Sequence, residues 1–88
     1  MTNEIVFDKN LSIGAMAVCY TMVTLIRDKE SDIIGRLYTL SSDKKETTDK
    51  YIDELLGKKY IKLIEDNGKY YYIIGEKGEA LYDSLQGK

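Results

Sequence analysis

Tyr60-Ile61-Lys62-Leu63-Ile64-Glu65-Asp66-Asn67-Gly68-Lys69-Tyr70-Tyr71-Tyr72-Ile73-Ile74 reads as two β-strands about a tight turn. Asn-Gly is the favoured pair for a two-residue type I′ hairpin, because both central residues need positive φ. Centring the turn on Asn67 and Gly68 sets Leu63 opposite Tyr72 and Ile61 opposite Ile74. Side chains alternate between the faces of a strand, so Ile61, Leu63, Tyr72 and Ile74 share one face, expected to meet the core. Ile64, Tyr71 and Ile73 fall on the other face, unusually apolar for a solvated surface and a candidate patch for a protein partner.

Upstream, Ser41-Ser42-Asp43 is a tight polar turn between two helical patterns. The first runs over about 33–40, where Ile34, Leu37 and Tyr38 share a face. The second runs over about 44–56, with Thr48, Tyr51, Ile52, Leu55 and Leu56 inward and Lys44, Lys45, Thr47, Lys50 and Glu54 mainly outside. Asp43 followed by Glu46 makes a capping-box pattern for its start, and Gly57 is expected to end it. A helix is also expected over about 13–27, with Ser12 as N-cap. Its apolar residues go almost all the way round, and such a helix must be covered on all sides. Few elements are available to cover it, so a homodimer interface is expected there, through Met16, Tyr20 and Val23. Glu4-Ile5-Val6-Phe7 is a short β-favouring segment, and Ala80, Leu81, Tyr82 and Leu85 mark a short last helix.

The order is strand, helix, helix, turn, helix, hairpin, helix. Short connections between these elements leave little but a winged helix-turn-helix: an α+β domain with a three-helix core, a two-stranded wing and a short C-terminal helix. Residues 47–61, Thr47-Thr48-Asp49-Lys50-Tyr51-Ile52-Asp53-Glu54-Leu55-Leu56-Gly57-Lys58-Lys59-Tyr60-Ile61, resemble the recognition-helix-to-wing signature of bacterial winged-helix proteins. Tyr72-Ile73-Ile74-Gly75-Glu76-Lys77-Gly78-Glu79-Ala80-Leu81 is similar to the wing-to-last-helix junction of MarR- and PadR-like regulators. Phe7-Asp8-Lys9-Asn10-Leu11-Ser12-Ile13-Gly14-Ala15 resembles the first helix of the winged-helix domains of phage and plasmid replication initiators. The resemblance implies that the third helix enters a DNA major groove with Lys44, Lys45, Thr47 and Lys50. It also implies that the wing tip, Asn67, Gly68 and Lys69, meets the phosphate backbone or the minor groove. Lysine suits phosphates and guanine edges, and threonine suits phosphates or a thymine methyl. The chain departs from the family in carrying Glu46 and Asp49 where neutral or basic residues are usual, and in having no arginine in that helix.

Charge and composition bound these readings. The 88 residues form one domain spanning 1–88, with 13 basic and 15 acidic residues and a net charge of -2. Between Lys44 and Lys62 six lysines face four acids, whereas the rest of the chain has seven basic residues and eleven acidic ones. Positive charge is thus weakly concentrated in one region, and local potential matters more to binding than the total. The chain has no histidine and one cysteine, Cys19, which removes the commonest general base and any internal disulfide or cysteine-cluster metal site. Asp49 and Asp53 share an i, i+4 face but lack a site that would perturb them, and Gly75-Glu76-Lys77-Gly78 lacks the spacing of a phosphate loop. Neither an enzyme nor a cofactor is expected. The apolar run from Leu11 to Ile26 is too short for a membrane span. The first residues lack the basic start of a signal peptide, so a cytoplasmic protein is expected. Function is therefore expected to be duplex-DNA binding by a small transcriptional or replication regulator. The alternative is a winged-helix protein-interaction module, accessory to such machinery, with little or no DNA binding.

Overall fold

Residues 11–87 are described by the computed structural model. The strand expected over Glu4–Phe7 and the turn Asp8-Lys9-Asn10 lie outside them. The elements are α1 (Ile13–Arg27), α2 (Ile33–Leu40), α3 (Lys45–Gly57), β1 (Ile61–Asp66), β2 (Lys69–Ile74) and α4 (Glu76–Leu85). Four helices and an antiparallel hairpin make an α+β layout compatible with a winged helix.

Helix α1 is the axis of the core. Ser12 caps it by accepting from the Ala15 amide, and Ala15, Val18, Cys19, Met22, Val23 and Leu25 are buried. α2, α3, α4 and β2 all pack against it. The all-round apolar character of α1 is thus met largely from within the chain. α4 supplies the side that the sequence left open: Tyr82 stacks on Tyr20 with ring centroids 4.9 Å apart. Arg27 lies over the same Tyr82 ring at 4.7 Å and reaches Glu79 at 3.5 Å. Gly78 sits against the carbonyl of Tyr60, where any Cβ would collide, so a glycine lets α4 close onto the start of the hairpin.

Two helix boundaries differ from expectation, each by a small shift with a clear cause. α3 begins at Lys45, so its N-cap is Lys44, which makes no side-chain capping bond. Asp43 stands one residue too early to reach the first turn, and its own amide donates to Ser41 Oγ at 3.0 Å. The capping box is therefore out of register. At the other end Gly57 is still helical. The chain turns at Lys59, with φ of 66°, while the Tyr60 amide donates to the Leu55 carbonyl and the Lys59 amide to that of Leu56. This double bond pattern closes the helix with a left-handed lysine in the place usually taken by glycine.

The hairpin has the expected register, with Ile61 opposite Ile74, Leu63 opposite Tyr72 and Asp66 opposite Lys69. Asn67 and Gly68 take φ of 55° and 80°, as a type I′ turn demands. Its inner face is buried only at the base. Ile61 is fully buried, yet Leu63 is 45% exposed. Burial on this face thus falls off from the base of the hairpin toward its tip.

Candidate nucleic-acid interface

The α2–α3 corner is held by two side-chain contacts. Thr48, fully buried, shares a hydrogen bond with Ser41 at 3.2 Å, joining the end of α2 to the second turn of α3. The Tyr38 hydroxyl donates to Asp49 Oδ1, a second tie between the helices. That bond holds the phenol proton, burial and the Asp49 charge add to it, and the Tyr38 pKa is pushed up to about 12. Burial, with Asp53 and Asp49 nearby, also raises the pKa of Tyr72 on β2. Glu54 performs a third linking role: its carboxylate accepts from both the amide and the hydroxyl of Ser12, each at 3.0 Å, fastening the start of α1 to α3.

On this frame Lys44, Lys45 and Lys50 are exposed and Thr47 is half-buried. Lys45 Nζ lies 5.5 Å from the centroid of the Tyr38 ring, a cation–π distance that leaves its charge at the surface. Asn67, Gly68 and Lys69 are exposed at the hairpin tip. Among the described residues the ion pairs are Arg27–Glu79, Arg36–Glu30 and Lys58–Glu54, so Lys44, Lys45, Lys50 and Lys69 have no carboxylate within 4.0 Å. Helical spacing of about 100° per residue puts Glu46, Lys50 and Asp53 opposite the buried Thr48, Ile52 and Leu55. The outermost line of α3 is therefore mixed in sign. Asp49 lies to its side, bonded to Tyr38.

The other sequence-derived candidates are distributed differently. Met16 is half-buried and packs on the core, while Tyr20 stacks on Tyr82 and its hydroxyl accepts from Gln86 at 2.8 Å. Val23 is fully buried within the protomer and offers no surface to a second copy. It faces inward because the side of α1 that holds it is the one enclosed by the other elements. What α1 leaves outside is Ile13, 81% exposed, and Ala17, close to Leu40, 56% exposed at the end of α2. Ile64, Tyr71 and Ile73 do share the outer face of the hairpin, Ile64 directly opposite Tyr71. Cys19 is buried, which pushes its thiol up to about 12 and leaves it protonated and unreactive at ordinary pH.

The ties made by Tyr38–Asp49 and Ser12–Glu54 join residues 11 and 42 positions apart, and no local pattern announces them. No family model matches the chain, and neither the curated proteins nor the solved structures give a significant match. Among the described residues no helix is long and apolar enough to cross a membrane.

Proposed function

We propose that this chain is a winged-helix protein that binds duplex DNA through α3 and the hairpin tip, acting as a transcriptional or replication regulator by occupancy of its site. The observation that carries the proposal is the set of four exposed lysines, Lys44, Lys45, Lys50 and Lys69, at the start and outer side of α3 and the hairpin tip, without carboxylate partners among the described residues. The start of α3 adds the partial positive charge of amides that no side chain caps, offset in part by Glu46 in the first turn. Phosphate contacts from so few cations make for modest affinity that falls with salt, by a log–log slope of about 0.9 per phosphate neutralised. A homodimer would double the contacts and set the spacing of half-sites.

Fluorescence anisotropy on random duplex and on the DNA upstream of the protein's own coding sequence, at two salt concentrations, tests this. Wild type binds at low salt and releases as salt rises. Lys50→Glu and Lys45→Glu weaken binding without unfolding the chain, and Lys69→Ala weakens it on all sequences alike. Absence of binding to either duplex at low salt, or lysine variants that bind as wild type does, overturns the proposal. The protein-interaction module then takes its place, a reading supported by Glu46 and Asp53 beside Lys50 and by the Ile64, Tyr71 and Ile73 face.

A further inference from the structure

Tyr38, near the end of α2, meets both signs of charge carried by α3. Its hydroxyl donates to Asp49 Oδ1, and its ring centroid lies 5.5 Å from Lys45 Nζ. Lys45 and Asp49 are four residues apart on α3, and residues at that spacing are neighbours on a helix surface. A lysine and an aspartate so placed can pair with each other. Here they do not: among the described residues Lys45 has no carboxylate within 4.0 Å. The carboxylate meets the phenol O–H instead, and the ammonium meets the face of the same ring.

This arrangement bears on which charge is free to act outward. Lys45 is exposed, whereas Asp49 is half-buried and turned to α2. An ammonium matched to a nearby carboxylate brings less to a polyanion, because local potential governs the encounter. A phenol can hold the carboxylate without adding any charge of its own. The bond to Asp49, with burial, pushes the Tyr38 pKa up to about 12, so the phenol stays a donor at neutral pH.

We propose that Tyr38 is a positioning residue of the DNA face: its hydroxyl holds the Asp49 carboxylate away from Lys45 and leaves that ammonium for a phosphate. The proposal rests on the DNA-binding reading and deepens it, since it makes a residue of α2, outside the contacting helix, set the charge that α3 presents. Tyr38 itself touches no DNA in this account. Its ring, lying under Lys45, holds the ammonium at the surface, and its hydroxyl deals with the acid.

The test is the salt dependence of duplex binding, followed by fluorescence anisotropy on random duplex, well below the melting temperature of each variant. A mere loss of stability leaves the slope unmoved under those conditions. Lys45→Ala is expected to lower the log–log slope by about 0.9, the share of one phosphate contact. Tyr38→Phe keeps the ring and loses only the hydroxyl. It lowers the slope by a smaller amount and weakens low-salt binding about twofold, the worth of one exposed helical ion pair. Asp49→Asn restores both in the Tyr38→Phe protein and changes them less in wild type, where the carboxylate is already held. In the Lys45→Ala protein Tyr38→Phe leaves the slope where it was. Wild-type binding with a slope that Tyr38→Phe does not change overturns the role of Tyr38 and spares the DNA reading. An equal effect of Asp49→Asn in both backgrounds does the same. Wild type that binds no duplex at low salt overturns both.

Discussion

Tyr38 and Asp49 show how one side-chain pair can define the geometry of a surface. The phenol donates to the carboxylate, and Lys45 lies over the ring. Asp49, which helical spacing puts at the side of α3, is thereby engaged with α2. The folded chain holds the Tyr38 proton more tightly than the unfolded chain does. Its contribution is therefore complete below pH 10, the ordinary tyrosine value, and is lost as pH rises toward about 12. Tyr38→Phe is expected to lower stability at neutral pH by less than about 1 kcal/mol, since the pair is part-exposed and open to solvent screening. The difference from wild type should shrink from pH 10 upward and vanish only near pH 12. Urea unfolding of both proteins across the alkaline range measures it, and a pH-independent difference would show that the bond does not matter to the fold.

At the scale of the element, α3 and the hairpin answer to different kinds of local information. α3 starts at a lysine that caps nothing, because Asp43 is one residue out of register. Lys44→Asp is expected to raise stability by about 1 kcal/mol. In a chain of this size that is about 4–8 °C in melting temperature. The same change removes a cation from the proposed DNA face and should weaken duplex binding, so melting and anisotropy move in opposite directions. The hairpin is the converse case: its turn chemistry is already optimal. Gly68 has φ of 80° and no atoms near a would-be Cβ, so Gly68→Val fails through backbone conformation alone. A cost of about 1–2 kcal/mol is expected by thermal melting. A melting curve identical to wild type would mean that the left-handed turn is dispensable.

For the whole molecule, the question is what remains outside after α1 has been enclosed. The helix has no charged residue before Arg27, and its exposed Ala17 lines, with Leu40 and the charged Asp43, a shallow groove of about 200 Å³. Ile13, Ala17 and Leu40 are exposed apolar side chains, and the dimer of the DNA proposal is expected through them rather than through Val23. Light scattering over a range of concentrations should report a dimer at micromolar chain. Ala17→Glu, at an exposed position, should return it to monomer with the melting temperature little changed. A wild-type monomer throughout would remove the dimer from the proposal.

Elements whose signal lies within a few neighbouring residues are legible in the sequence alone. Asn67-Gly68 specifies positive φ at two positions, and the register follows from it with no help from the rest of the chain. Ser12, the charged break after Arg27 and the spacing of Ile34, Leu37 and Tyr38 delimit the helices for the same reason: capping, helical period and turn preference act over about one turn. The candidate lysines are likewise readable as exposed, since each lies off an apolar face. Which residues cover α1 was not readable, because Tyr82 and Gln86 reach Tyr20 from more than sixty positions away and nothing in their own neighbourhood says so. The burial of Val23, the exposure of Leu63 and the diversion of Asp49 to Tyr38 belong to the same class. Local pattern says that a side chain is apolar or charged. Only the packing of distant elements, driven by the apolar surface they jointly remove from water, decides what it faces.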